Sequence, residues 1–451
     1  MRAWAACLRE AGVGPGDRVA ALAPSSPQLV AAMLGTYAVG AIWVPINTRY
    51  RATEVGHILE DAKPSLLLCD PSLHDALPAH QVPMRDLADP PAAEASLAVL
   101  PDDAPAMLIY TSGTTGRSKG ATLSMAAVVD GIAALTGLWG WTDQDVLSLQ
   151  LPLFHVHGLC IGVFGSLLAG MTMLMHRKFS AASVVADVDE CGATVFMGVP
   201  TMYTRLLEHL RSVPTDGERL AKARLFTAGS AALPAADLEA FERFTGHRIL
   251  ERYGMSETLI TFSNPLSGER RPGSVGREVP GVVSRVVDDE GAEVDVGTVG
   301  ELQVQTPAMM TGYWNNAGAT AESFDGPWFR TGDVVTRDAD GYLRIVGRKS
   351  VDIIKSGGFK ISAREIEEAL LLHPAVAEAA VVGLADATWG ERIEAAVVLE
   401  EPASAEALIE HAATLLADYK KPRAVHVMDV LPRNALGKLQ KVALKRQLQP
   451  G

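Results

Sequence analysis

The 451-residue chain has only four cysteines, Cys7, Cys69, Cys160 and Cys191, with no CxxC pair and no His/Cys cluster at metal-ligand spacing. That excludes a disulfide scaffold or a structural zinc site as the organising principle. Reduced thiols, and with them a cytoplasmic location, are the expectation. No uninterrupted apolar run approaches the length of a membrane span. Arg2, Arg9 and Glu10 break up any apolar core at the start, so the opening does not read as a signal peptide. Positive charge is also short, since 40 Lys and Arg stand against 53 Asp and Glu, a net charge of −13. Nucleic acid and acidic membrane surfaces require basic patches, so neither is an expected partner. A chain with this balance binds phosphate only by concentrating its cations locally.

One stretch does concentrate them. "YTSGTTGRSKGA", from Tyr110 to Ala121, packs Thr111, Ser112, Gly113, Thr114, Thr115, Gly116, Ser118 and Lys119 into a few turns of chain. Glycine lets backbone amides turn inward, consecutive inward amides bind anions, and a lysine supplies a point charge suited to phosphate. The apolar Met107, Leu108 and Ile109 just upstream read as a buried strand that ends at the loop. The common P-loop needs Gly-Lys-Ser/Thr at a helix start; here the lysine follows Ser118 and precedes Gly120. In isolation, the alternative is an ordinary flexible Gly/Ser/Thr loop, and the phosphate cradle is the preferred reading.

The length suggests two or three domains. Helix-like and strand-like segments alternate early: Trp4–Ala11 as an amphipathic helix, "RVAALA" as a strand, "PQLVAAMLGTYAVG" as a helix, "AIWVPIN" as a strand. The alternation recurs from Val146 to Pro200 in "VLSLQLP", "MTMLMH" and "ATVFMGVP", and predicts parallel sheet covered by helices. From about Gly273 to Gly347, short alternating runs such as "VSRVVD", "GELQVQ" and "YLRIVG" predict a small antiparallel barrel or sheet. After "GRKSVD", helix and strand patterns ("SAREIEEALLLH", "VAEAAVVGL", "IEAAVVLE") predict a compact α+β region. The fold class is therefore α/β, a large N-terminal part with a small β subdomain and a small α+β C-terminal part. The Ala-rich stretch Ala88–Ala106 reads as a surface connection.

Further blocks follow the loop in order: "PLFHVHGL", "TAGSAALP", "ERYGMSET", "GELQV", "WFRTGD", "GRKSVDIIKSGGFKISAREIE" and "PRNALGK". Together they resemble the adenylate-forming superfamily of acyl-CoA synthetases, firefly luciferase and peptide-synthetase adenylation domains, over essentially the whole chain. "GSAALP", "ERYGMSETLI" and "RPGSVG" are most similar, within it, to malonyl-CoA synthetases. The resemblance implies an adenylation domain over 1–346, a hinge over 347–352 and a mobile lid over 353–451. The chain opens on what resembles an interior helix of the family's first domain. ATP, Mg²⁺ and coenzyme A are the implied cofactor and co-substrates, and a small carboxylic acid the implied substrate. No carrier-protein partner is expected, because no carrier segment follows Lys438.

The resemblance implies a role for each block. A carboxylate attacks the α-phosphate of ATP, and a thiol then displaces AMP from the acyl-adenylate. Thr111 and the loop to Lys119 would hold the β- and γ-phosphates. Glu257 would bind Mg²⁺, which accepts one or two carboxylates plus phosphate oxygens; taken alone it is a solvated loop carboxylate. Tyr253 would stack on adenine, with Gly229, Ser230 and Ala231 along the other face. Glu251, Arg252, Gly254, Met255 and Ser256 would complete that wall. Asp333 would accept from the ribose hydroxyls and Arg348 would reach the ribose from beside the hinge. Lys438 would bridge the attacking carboxylate and the α-phosphate, stabilising developing charge. Lys355, Ser356, Gly357 and Gly358 would meet the pantetheine arm of CoA, and Ser350 falls where the pivot is expected.

For the acid, His155 resembles the family's gate beside the acyl pocket, while His157 reads as a core histidine. Arg205, beside the apolar face of a helix carrying Met202, Leu206 and Leu210, is the candidate cation for a second carboxylate, with Ser230 donating a further hydrogen bond. Ile260 would flank the acid and tune room for a 2-alkyl branch. The reading is thus an ATP-dependent ligase of malonate or a 2-alkylmalonate. A medium-chain or aryl acid ligase would keep every block and leave Arg205 on the surface. A non-catalytic nucleotide-binding protein would not need Lys438 and Glu257 together.

Overall fold

The computed structural model describes residues 1–449 apart from 89, 91, 92, 94, 112–117, 350, 357, 358, 387, 388, 417 and 434–438. The chain divides into two compact units, Met1–Ser284 with Val304–Phe329, and Arg285–Gln303 with Arg330–Gly451.

The first unit holds two seven-stranded sheets. One runs, in spatial order, Gly312–Tyr313, Lys119–Ser124, Pro105–Thr111, Ile42–Pro45, Arg18–Leu22, Leu66–Cys69 and Met84–Asp86. The other runs Arg277–Glu278, Leu259–Ser263, Leu250–Met255, Leu225–Ala228, Val195–Gly198, Val146–Leu149 and Thr172–Met175. The pairs at the heart of each sheet are parallel, as between Arg18–Leu22 and Ile42–Pro45 or Val195–Gly198 and Leu225–Ala228. Their strands are near-continuous apolar runs because helices cover both faces. The antiparallel strands sit at one end of each sheet, Lys119–Ser124 with Gly312–Tyr313 and Leu259–Ser263 with Arg277–Glu278. Those two ends carry parts of the sequence blocks "YTSGTTGRSKGA" and "ERYGMSET".

The strands expected from alternation are present, as are the helices Arg2–Glu10 and Pro27–Ala38. The second helix starts with Ser26 capping the Leu29 amide and Pro27 in the first turn, which satisfies an orphan donor where proline has none to offer.

In the second unit, antiparallel strands Trp328–Arg337 and Leu343–Arg348 pair in the small sheet that includes Gly300–Gln305. Of this predicted β region, residues 285–303 and 330–347 are grouped with the C-terminal chain and the rest with the large body. A five-stranded sheet of Ile353–Ser356, Phe359–Ser362, Val376–Asp386, Gly390–Leu399 and Ala424–Val427 follows. Helices Ala363–Leu371 and Ala405–Leu415 pack their apolar stripes (Ile366, Leu370, Leu408, Ala412) on Val381, Ala395 and Val397. Leu444 of helix Lys441–Leu448 joins Val382, Leu384 and Ala396. The α+β reading of this region holds.

Candidate active site

Candidate residues fall in both units. In the first, the strand Pro105–Thr111 carries fully buried Met107, Leu108 and Ile109 and ends where the candidate phosphate loop begins in the sequence. Thr111 and Lys119 face each other in register across the antiparallel pair, so the loop's two ends are clamped side by side. His57 Nε2 donates to the Ser118 carbonyl at 2.8 Å and fixes the loop's exit. Ser112, Gly113, Thr114, Thr115 and Gly116 lie outside the described residues.

Glu257 sits at the apex of the hairpin between Leu250–Met255 and Leu259–Ser263. The hairpin is tight: the register shifts between Tyr253 and Gly254, and Leu259 takes φ of 51°. A Cβ on Gly254 would stand 1.9 Å from the Leu259 carbonyl oxygen, so only glycine fits there. An apex carboxylate is ordinarily solvated, yet Glu257 is 5% exposed. The cover comes from a distant segment: the Met310 amide donates to the Glu257 carbonyl at 2.8 Å, and the Tyr313 hydroxyl donates to Oε1 at 3.0 Å. The Thr111 hydroxyl lies 3.4 Å from the same oxygen. Lys119 Nζ stands 5.2 Å from the centre of the Tyr313 ring. Thr111, Lys119 and Glu257, far apart in sequence, are thereby gathered around Tyr313, which sequence reasoning missed.

The other end of the same hairpin strand carries Arg252. Its side chain is 5% exposed, and Nε and Nη2 have no hydrogen-bond partner among the described residues. Burial pushes the guanidinium down to about 10. It lies flat against Gly229, where a Cβ would stand 2.5 Å from Cζ. His157 is beside it, buried with both ring nitrogens unpartnered, and held well below the ordinary histidine range by burial first and then by the charges of Arg252 and His155. His157 therefore stays neutral, in keeping with a core position, but it is not hydrogen-bonded. It opens the π-helical stretch His157–Phe164, a geometry common where helices serve a site.

Ser230 follows the strand Leu225–Ala228 with φ of 72°, a left-handed backbone that costs a non-glycine residue about 1–3 kcal/mol. Ser230 and Ala231 are exposed. Tyr253, Met255 and Ser256 are half-buried, Tyr253 packing 6.2 Å from Phe262, and Ile260 is buried. The Glu251 carboxylate is buried and accepts from the Gly273 amide at 3.3 Å. His155 is half-buried, its ring 4.8 Å from Phe154. Arg205 is exposed, with its guanidinium 5.1 Å from the Phe179 ring centre.

In the second unit, Asp333 and Arg348 face each other across paired strands and join at 2.8 Å. Arg348 also donates to the Thr331 carbonyl at 3.2 Å. One oxygen of this 5%-exposed carboxylate is thus held by a cation. Lys355 is exposed and Ser356 buried. Ser350, Gly357, Gly358 and Lys438 lie outside the described residues. A cluster sequence reasoning did not find joins Asp352 to this unit's core. Lys441 reaches both Asp352 and, at 2.6 Å, Glu367, while Asp352 also accepts from the Arg348 amide at 2.9 Å.

Among the described residues no group of three His, Cys, Asp or Glu could hold a metal ion by itself. None of the helices there is long and apolar enough to cross a membrane.

Comparison with known proteins gives a consistent result. The AMP-binding enzyme family matches residues 1–314, and the AMP-binding enzyme C-terminal domain matches residues 365–438. The malonate–CoA ligase of Arabidopsis thaliana is 37% identical over 96% of this chain and 78% of its own. The sulfoacetate–CoA ligase of Cupriavidus necator is 37% identical over 96% of this chain and 88% of its own. The solved structure of ATP-bound MatB from Rhodopseudomonas palustris has a TM-score of 0.91 at 36% identity, covering 99% of this chain and 91% of that one.

Proposed function

The chain belongs to the AMP-binding enzyme family, and from that premise we propose that it is an AMP-forming acid–CoA ligase acting on malonate or a 2-alkylmalonate. In the first half-reaction a carboxylate oxygen bonds to the α-phosphorus of ATP while the bond to pyrophosphate breaks. In the second, the thiolate of CoA bonds to the acyl carbon and AMP leaves.

Both reactants are anions, so the protein's work is to neutralise charge and hold geometry. Thr111 and Lys119, clamped across one strand pair, take the departing phosphates with the loop between them. Glu257 fits Mg²⁺: it is a buried hard oxygen donor whose Oε1 is fixed by two hydroxyls, and a site with a single carboxylate suits an ion that takes its other ligands from phosphate and water. When bound, the ion supplies charge neutralisation to the phosphates. Asp333, anchored by Arg348, accepts from ribose. Lys438 binds between the acid and the α-phosphate in the first half-reaction, and the segment 355–358 passes the pantetheine arm in the second.

The observation that carries the choice of acid is Arg252. A buried guanidinium with two nitrogens unpartnered costs several kcal/mol unless something pairs with it. A second carboxylate on the substrate is such a partner. The two relatives named above act on acids with a second anionic group, a carboxylate in malonate and a sulfonate in sulfoacetate. Arg205 lies two positions along its helix from Tyr203, whose buried ring is close enough to feel the Arg252 charge. Residues two apart leave a helix on different faces, so Arg205 is exposed where Tyr203 is buried and serves only as an outer cation.

The test is pyrophosphate release with malonate, methylmalonate, octanoate and benzoate. Wild type is expected to favour the two diacids, and Arg252→Met to lose that preference. Preference of the wild type for octanoate or benzoate would replace this reading with a medium-chain or aryl acid ligase. No pyrophosphate release with any acid, despite ATP binding, would leave a nucleotide-binding protein.

A further inference from the structure

The geometry points to Tyr313 as a positioning residue that couples the metal-binding carboxylate to the phosphate-binding lysine; the inference rests on the nucleotide reading above. Tyr313 is contributed by a two-residue strand, Gly312–Tyr313, added antiparallel to the edge of the sheet beside Lys119–Ser124. Backbone bonds lock this addition on both sides, from the Thr311 amide to the Thr122 carbonyl at 2.9 Å and from the Trp314 amide to the Gly120 carbonyl at 2.8 Å. The Tyr313 amide is satisfied by the Thr320 hydroxyl at 2.9 Å. The ring is therefore fixed from its backbone outward.

Its two ends do different work. The hydroxyl donates to Glu257 Oε1, the same oxygen that Thr111 approaches. No other hydrogen bond or ion pair of this carboxylate exists among the described residues. Oε1 is thus occupied and Oε2 is left for a ligand. A carboxylate oriented in this way binds metal better than one that rotates. The ring face lies beneath the Lys119 ammonium. That contact holds the lysine's long, flexible stem at low electrostatic cost, because the ring attracts the cation without neutralising it as a carboxylate would. A direct Lys119–Glu257 pair would cancel both charges. An aromatic hydroxyl between them keeps the anion for Mg²⁺ and the cation for phosphate.

Two variants separate the two ends, read by calorimetric ATP binding in the absence of acid and CoA, so that no turnover occurs. Tyr313→Phe keeps the ring and removes the hydroxyl. It is expected to weaken ATP binding about tenfold with Mg²⁺ present and to leave binding in EDTA unchanged. Tyr313→Leu is expected to weaken binding in EDTA as well, by several fold, because Lys119 loses its seat. Lys119→Gln should then cost less in EDTA when added to Tyr313→Leu than it costs alone. Retention of the wild-type thermal unfolding midpoint in Tyr313→Phe keeps the comparison one of binding. If Tyr313→Phe binds Mg²⁺–ATP as wild type does, the coupling role is wrong. If wild type itself binds no ATP, the nucleotide reading falls first.

Discussion

Each unit buries a charged cluster, and the two are built oppositely. In the second unit Lys441 is enclosed with Asp352 and Glu367 and pairs with both. Burial alone would lower the ammonium, but the two carboxylates more than reverse it, and Lys441 is held above its ordinary range. The Val381 amide donates to Glu367 at 2.7 Å and the Arg348 amide to Asp352. Every charge there has its counter-charge within the fold. In the first unit Glu257 is buried with hydroxyls alone for company, and Arg252 is buried with two nitrogens unmet. A fold tolerates buried charge in two ways, by pairing it internally or by leaving it for a ligand to pair. The first way holds a segment in place, and the second marks a site.

The largest expected effect breaks the internally paired cluster. Lys441→Met leaves two half-buried carboxylates without a cation; breaking a fully buried pair costs about 3–5 kcal/mol, so a loss of up to that size is expected. The sign with pH follows from Glu367, which burial raises even while Lys441 pulls it down. A raised carboxylate contributes stability that is full at low pH and lost as pH rises through its folded value. The variant is therefore expected to regain part of its thermal midpoint on acidification, relative to wild type. Wild type draws on Lys441 until alkaline pH, because a raised lysine loses its contribution only above its folded value. Chemical denaturation at several pH values checks this. An unchanged midpoint at neutral pH would mean the cluster is not holding the unit together.

The division between what was legible in the sequence and what was not follows the range of the interactions. Strands such as Arg18–Leu22 and Val195–Gly198 are local runs of apolar residues, so their pattern is visible without the fold. Thr111, Lys119 and Glu257 stood in motif blocks, but only the third dimension covers Glu257 with Met310 and Tyr313. Arg252 was placed along a nucleotide wall because it lies inside "ERYGMSET". Its burial, and the glycine at position 229 that makes room for it, depend on strands brought together by the sheet. Arg205 attracted attention because a cation beside an apolar helix face looks purposeful. The helix turns it outward onto Phe179, as a single-helix pattern cannot foretell. Lys441 looks like any helical surface lysine until Asp352 and Glu367 are folded against it.

A smaller effect is expected where a ligand supplies the missing partner. Arg252→Met removes an unpartnered buried cation, so stability should hold or rise slightly, in contrast to Lys441→Met. The loss appears in catalysis instead. A hydrogen bond to a charged group contributes about 1.5–3 kcal/mol, roughly tenfold to a hundredfold in kcat/KM for malonate, with butyrate unaffected or improved. The guanidinium, at about 10, also gives a pH signature. The burial penalty on its charged form is present below that pH and relieved as pH rises toward its ordinary value. Malonate kcat/KM of wild type should accordingly fall through about pH 10, and the variant should lack that limb. Destabilisation of Arg252→Met on the scale of Lys441→Met would erase the distinction between the two clusters.

The smallest effect belongs to Arg205, and it sharpens the comparison by testing an exposed cation against a buried one. Its guanidinium rests on the Phe179 ring at 5.1 Å with the side chain open to water. An exposed cation–π contact contributes about 0.5–1 kcal/mol, and water screens whatever the cation offers an anion nearby. Arg205→Leu should therefore leave stability nearly unchanged and lower malonate kcat/KM by less than about tenfold, a loss that shrinks as salt is raised. Butyrate should show no change in the same assay. Wild type, Arg205→Leu, Arg252→Met and the double variant, each measured with malonate and butyrate at two salt concentrations, complete the cycle. Near-additive losses with the larger share on Arg252 place the second carboxylate against the buried cation, with Arg205 drawing it in from outside. A selective hundredfold loss for malonate in Arg205→Leu, insensitive to salt, would move that carboxylate to Arg205 and leave the burial of Arg252 to be explained by the nucleotide.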